Sequence, residues 1–314
     1  MTASGGGETT ITWYGHACVE VLTPGGATIL FDPWFENPRS PRKPETVDRC
    51  DVMLVSHGHF DHMTNALPIA SRTRPAWPAV HELSLWLSSV YPAPDDVTGM
   101  NKGGTFETKG IKVTMTSADH SAGDWNGEAG VPLYLGEPAG FVVELENGSR
   151  LYFAGDTNLF GDMRYIRELY APDLAFLPIG GHFTMGPRDA AIAVELLGVG
   201  EVVPIHFGTF PILAGTPEQL RTELAARSLG DVRVHDLEPG VALSRWPRDG
   251  GTGTRSGVVG LRTGRCVPRA REASWLRTSA ARSHCNPKPR HMKPRGTQSW
   301  TGATACASSS FALG

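Results

Sequence analysis

The sequence predicts an α/β body over residues 1–246 and a disordered, basic tail over residues 247–314. Three observations carry that prediction. Strand-like apolar runs separated by turn signals come first, and runs followed by capped amphipathic segments come after them, a mixture foreign to all-α and all-β chains. Charge then changes abruptly: residues 1–246 hold 17 Lys and Arg against 30 Asp and Glu, a formal −13, whereas residues 247–314 hold 12 against 2, a formal +10. The second stretch is also rich in Gly, Ser, Thr, Arg and Pro without sustained periodicity, a composition that buries too little apolar surface to offset its ordering entropy.

The body reads element by element. "ITWYGHACVEVL" and "ATILFDPWF" are β-rich runs joined by "TPGG", a hairpin signal. "DVMLVSH" is a short apolar run that leads into a cluster of histidines. "FVVELENGSRLYFAGDT" is two strands around Asn147-Gly148, among the strongest short hairpin signals. In "MGPRDAAIAVELLG", Pro187 suits a first helical position, Asp189 the first turn and Gly198 the stop. In "GTPEQLRTELAARSLG", Thr216 and Gln219 form a capping box with Pro217 between them. "EVVPIHF", "VRVHDL" and "GVALSRW" are further strands. The body thus ends on a complete strand, and the tail beyond it is either a disordered appendage or an extension read in a shifted frame.

With 314 residues, 40% hydrophobic and 19% charged, the chain has enough apolar mass for a full core. No apolar run approaches the ~20 residues of a membrane span. "MTASGGGETT" lacks the basic and apolar segments of a secretory signal, so a cytoplasmic location is expected. The five cysteines show no CxxC spacing, and Cys18 and Cys50 are expected to be buried free thiols. The acidic body argues against a polyanion such as nucleic acid as partner.

Chemistry concentrates in "LVSHGHFDHM", where His57, His59, Asp61 and His62 fall within six positions. In an extended backbone residues two apart point the same way, so His57 and His59 can reach one ion. Asp61 and His62 sit on the following turn and can serve a neighbouring ion, and Gly58 permits a tight backbone between the first pair. Two ions need further ligands. His120 follows "IKVTMTSAD", Asp156 follows "RLYFAG" and His206 follows "EVVPI", each just past a strand, where loops converge on one rim. Taken alone, His120 and His206 also read as satisfied histidines and Asp156 as a turn residue. His81 and His235 have no such context and are assigned structural roles.

"SHGHFDH" resembles the His-x-His-x-Asp-His signature of the metallo-β-lactamase superfamily. The likeness extends to "YGHAC", "ILFDPW", "DHS", "FAGDTNLF", "LPIGGHFTMGP" and "VVPIHFGTFP", roughly Ile11 to Trp246. It points to the branch of small metal-dependent hydrolases that includes ascorbate-6-phosphate lactonase-like proteins. The resemblance implies a four-layer αββα sandwich with two divalent cations at one edge. His57, His59 and His120 would hold one ion, Asp61, His62 and His206 the other, and Asp156 would bridge them. The nitrogen-rich set suits Zn²⁺, with Mn²⁺, Fe²⁺ and Ni²⁺ as alternatives. Two such ions can lower the pKa of a shared water toward ~7 for attack on a carbonyl or phosphoryl centre. Asp61 would orient that nucleophile and shuttle its proton. His182, after a strand and before a capped helix, reads either as a contact to the substrate or its developing oxyanion or as loop structure. His16, a core histidine when taken alone, would be a polar partner near the metals, and Asp32 would hold its turn or a ligand histidine.

The expected activity is hydrolysis of a small, anionic or ester-like molecule: an ester, lactone, amide or phosphodiester. An iron-containing oxidoreductase is the alternative, but such relatives carry a glutamate where His59 stands and add a flavin domain. A metal-bound, non-catalytic scaffold is the other, and its expected mark is a lost ligand. The loop from Ser121 to Pro138 is expected to cover the cleft, with Trp125, Tyr134 and Leu135 as an apolar wall or as plain packing. A homo-oligomer is expected by analogy only.

Overall fold

In the computed structural model, residues 7–126 and 130–246 are described. The predictions for residues 247–314, including the disordered tail and its cysteines and histidines, lie outside the described residues. The first β-rich run is not one strand. It divides into β1 (Thr9–Trp13) and β2 (Val19–Leu22), which pair antiparallel with Trp13 opposite Val19. Gly15 (φ 91°) and His16 (φ 52°) both enter the left-handed region, so the chain must turn back there. A β-carbon on Gly15 would also meet the Asn37 side chain.

The "TPGG" turn leads to β3 (Thr28–Phe31), antiparallel to β2, and β4 (Val52–Leu54) runs parallel to β3. Short helices α1 (Phe60–Met63) and α2 (Ala66–Thr73) follow, then β5 (Trp77–Val80), α3 (His81–Val90) and β6 (Val97–Met100). Next come β7 (Thr105–Thr108), β8 (Ile111–Ser117) and the ribbon of β9 (Asp124–Asn126) and β10 (Val131–Leu133). The Asn-Gly hairpin joins β11 (Ala139–Glu144) to β12 (Arg150–Phe153). The rest alternates: α4 (Met163–Tyr170), β13 (Leu174–Pro178), α5 (Pro187–Leu197), β14 (Glu201–Ile205), α6 (Pro217–Ala226), β15 (Arg233–Val234) and β16 (Ala242–Trp246). Pro187 opens α5 and left-handed Gly198 closes it, while Thr216 and Gln219 complete the capping box of α6 in both directions.

Two main sheets result. One has the order β16-β1-β2-β3-β4, and the other β15-β14-β13-β12-β11-β8-β7. Strands β12 to β15 are parallel to one another and need the crossover helices α4, α5 and α6 between them. The sheets meet face to face: the Phe31 ring of β3 stacks on Phe153 of β12 at 4.6 Å and lies 6.1 Å from Phe176 of β13. Helix α5 packs on β13 and buries Ala190, Ala191, Ala193, Val194 and Leu197, and α3 packs on β5 and β6, which form a two-stranded sheet of their own beside β4. This is the expected αββα layering. Strand β16 pairs antiparallel with β1, and its Trp246 Nε1 donates to Glu201 Oε2 on β14 at 3.2 Å. His235 shares that carboxylate at 2.6 Å, the structural role expected of it. His81 is exposed at the start of α3.

Cys18 and Cys50 are buried free thiols, and burial pushes both up in pKa, away from the reactive thiolate. Among the described residues no helix is long and apolar enough to cross a membrane.

Phe31 has no exposed surface and fills the space between the sheets. Phe31→Ala is expected to lower the unfolding free energy by about 3–5 kcal/mol, read from urea denaturation.

Candidate metal centre

Asp32 organises the cluster from below. It is fully buried just past β3, in a left-handed conformation (φ 42°) tolerated by a short polar side chain. Its Oδ1 accepts from the Ser56 backbone N–H at 2.6 Å, and its Oδ2 accepts from Ser56 Oγ at 2.7 Å and from His62 Nδ1 at 2.7 Å. Because the Ser56 hydroxyl gives its proton to Asp32, it accepts from His57 Nδ1 at 2.9 Å. Both imidazoles therefore carry their proton on Nδ1 and turn an Nε2 lone pair toward the cluster, the orientation a metal ligand needs.

The remaining groups arrive on loops at one end of both sheets. His57 and His59 leave β4 through a turn rather than by strand alternation: β4 ends at Leu54, and His59 is the residue before α1. Their rings still converge, with His57 Nε2 2.8 Å from His59 Nδ1. His120 follows β8, Asp156 follows β12 and His206 follows β14. Asp156 is central: its Oδ2 lies 3.0 Å from His206 Nε2, 3.3 Å from His62 Nε2 and 3.6 Å from His120 Nε2. Donor atoms of His57, His59 and His120 lie within 4.8 Å of one another. The same holds for His16, Asp61, His62 and His206, and for His57, His62 and Asp156, so the groups form one continuous cluster.

The donor set fits cations. Asp156 Oδ1 is buried with no hydrogen-bond partner, and His62 Nε2 and His206 Nε2 are buried beside Asp156 Oδ2 without a well-formed hydrogen bond, an expensive condition for polar atoms unless they ligate. Burial lowers the pKa of His57, His59 and His120, keeping them neutral with lone pairs available. Burial pushes the carboxyls of Asp61 and Asp156 up, but the neighbouring histidines outweigh it and hold both below the usual carboxylate range. Burial pushes His62 down, yet Asp156, Asp32 and Asp61 together pull it well above the ordinary imidazole value. With the Nδ1 proton of His62 held by Asp32, the positive charge that these carboxylates favour at Nε2 is one that a bound cation would supply in place of a second proton.

The structure gathers His57, His59, Asp61, His62, His120, Asp156 and His206 into this cluster, with His16 among them. His16 is fully buried, its Nδ1 3.0 Å from Thr209 Oγ1 and its Nε2 3.0 Å from Asp61 Oδ2, and burial together with nearby His206 lowers its pKa to about 4. Its backbone carbonyl accepts from the His206 N–H at 2.8 Å, which ties the β1–β2 turn to the end of β14. His182 stands apart: it is exposed, with its ring 4.4 Å from that of Phe183, and no contact among the described residues joins it to the cluster. His16, Asp32, His182 and His206 all have positive φ, a concentration of backbone strain in and around the site.

Sequence reasoning missed Ser56 and Thr209. Ser56 carried a signal, since it directly precedes His57 at the strand end; Thr209 carried none. The role of Gly58 also differs from the expected one. Its φ is not left-handed; it is needed because a β-carbon there would lie 2.5 Å from Leu135 Cδ1. Leu135 is therefore packing, buried against the histidine loop. Tyr134 is exposed, and the Trp125 side chain lies outside the described residues.

The sequence profile of the β-lactamase superfamily domain matches residues 27–207. A UPF0173 metal-dependent hydrolase of Rubrobacter xylanophilus is 48% identical over 239 residues, covering 76% of this chain and 97% of its own length. One from Koribacter versatilis is 45% identical over 235 residues, covering 74% and 97%. Igni18, a metallo hydrolase from the hyperthermophilic archaeon Ignicoccus hospitalis, is similar in structure with a TM-score of 0.66 and 32% identity, covering 76% of this chain and 98% of that one.

Asp32→Asn is expected to weaken metal binding roughly 10- to 100-fold in competition with a chromophoric chelator. Gly58→Ala should also lower metal retention, and adding Leu135→Ala should restore most of it by removing the clash. If the double variant binds no better than the single one, Leu135 is not the reason for the glycine.

Proposed function

This chain belongs to the β-lactamase superfamily and is a metal-dependent hydrolase, and from that premise we propose that it works with two divalent cations on a small ester, lactone, amide or phosphodiester. The observation that carries the two-cation reading is Asp156, whose one carboxylate faces histidines of both donor groups. His57, His59 and His120 would hold one ion, and Asp61, His62 and His206 the other. A donor set of five imidazoles and two carboxylates suits Zn²⁺, while Mn²⁺, Fe²⁺ and Ni²⁺ accept the same ligands. When bound, such a pair lowers the pKa of water and polarises a carbonyl or phosphoryl oxygen.

The chain's own residues supply the rest. Asp61 is partly exposed to the cavity, ionised, and fixed on its inner side by His16. It would align the attacking water and carry its proton toward the leaving oxygen. Thr209, by bonding His16 on the far side, sets the ring that sets Asp61. His182, out on the rim, would meet the substrate only beyond the reacting bond.

Elemental analysis of the purified chain is expected to give two divalent cations per chain, and Asp156→Asn one or fewer. Chelation should abolish turnover on an ester, lactone and phosphodiester panel, and Zn²⁺ should restore it. Asp61→Asn should reduce kcat/KM by about 10²-fold or more. An Asp61→Asn variant with full metal and full turnover would remove Asp61 from the mechanism.

A further inference from the structure

We propose that the substrate carries an uncharged, apolar group beside its scissile bond, seated on an aromatic trough that rises from the metal cluster; this rests on the hydrolase reading above. The cluster forms the floor of a cavity of about 430 Å³, within the range of small-molecule sites. Its walls are Phe60, Phe183, Phe210 and Leu213. Phe60 and Phe183 are each 57% exposed. Large apolar rings left in water at one mouth mark a binding surface. They are also braced: buried Trp34 backs Phe60 at 5.7 Å and Phe210 at 6.0 Å, and the His182 ring backs Phe183. A second cavity of about 420 Å³ shares His59 and Phe60 and continues past Pro132, Leu133 and exposed Tyr134.

Charge narrows the class. Among the described residues, no Lys or Arg lines either cavity; the charged side chains are Asp61, Asp156 and Asp124. Arg39 lines a neighbouring cavity beside Glu218 and Asp236, but its guanidinium lies over the Trp13 and Phe207 rings and donates to the Phe207 carbonyl. Away from the ion ligands, the described lining of the two cavities offers an anionic substituent no Lys or Arg to pair with. The inferred substrate is therefore uncharged and apolar beside its scissile bond, and an ester is its simplest form. The oxygen of water bonds to the acyl carbon, the carbon–heteroatom bond breaks, and the proton passes to the leaving atom.

The test uses the full, Zn²⁺-loaded chain and p-nitrophenyl esters from acetate to octanoate, with a mono-p-nitrophenyl adipate as the charged counterpart of the hexanoate. The expected kcat/KM rises about three- to fourfold per methylene over the first carbons, and the adipate falls at least tenfold below the hexanoate. Phe183→Ala flattens the chain-length slope, and Phe183→Leu keeps most of it. A flat series, an adipate turned over as well as the hexanoate, or an unchanged slope in Phe183→Ala overturns the proposal. So does a stable dimer in solution that Phe60→Glu dissociates, because the rim then belongs to a second copy. If no ester is hydrolysed, calorimetry with n-alkyl amides separates the two readings. Affinity that rises with chain length keeps the trough and counts against the hydrolase reading, and affinity that does not rise removes the trough.

Discussion

A carboxylate with no solvent contact persists only if its oxygens are bonded, and Asp32 meets that condition by taking three donors from a segment more than twenty residues away. The bargain works in both directions. Asp32 gains the bonds that make its burial tolerable, and Ser56, His57 and His62 lose the freedom to point anywhere else. Two further donors meet those imidazoles directly, since Asp156 faces His62 and His59 faces His57. Removal of the charge at Asp32 would leave a folded sandwich with an unaligned site.

The sandwich makes that contact possible. Phe31, stacked on Phe153, sets the separation of the sheets, and Asp32 is the next residue along. From the other sheet, β8, β12 and β14 deliver His120, Asp156 and His206 at their ends. The seam between the two sets of loops is closed by His16, which bonds Asp61 on one side and, through its backbone, His206 on the other. Rigid strands supply the precision and loops supply the chemistry.

What was readable in the sequence was local. The Asn147-Gly148 hairpin, Pro187 and Gly198 around α5 and the Thr216–Gln219 box are decided within a few residues of themselves. The histidine spacing and the residues past each strand end were also visible. Helices α2, α3 and α4 were not: α4 buries only Met163 and Ile166, too faint a stripe to register. The break in the first β-rich run depends on Gly15 packing against Asn37, and the reason for Gly58 is Leu135, contacts that periodicity does not report. His16 and Thr209 are 193 positions apart, so no window could join them. His182, readable from the sequence as a substrate contact or as loop structure, has a left-handed backbone and an exposed ring lying on Phe183.

The pairing of β16 with β1 has a consequence for biogenesis. As the ribosome extrudes the chain, β1 and β2 emerge early, yet the outer flank of β1 stays unpaired until residue 246 has been made. For most of synthesis that flank is a bare sheet edge, the kind that recruits other nascent chains. The pairing of β1 with β16 is also a contact of very high sequence separation, which slows folding. The sandwich is thus sealed by β16, and a polypeptide stalled or cleaved short of Trp246 would present an adhesive border rather than a smaller version of the same enzyme.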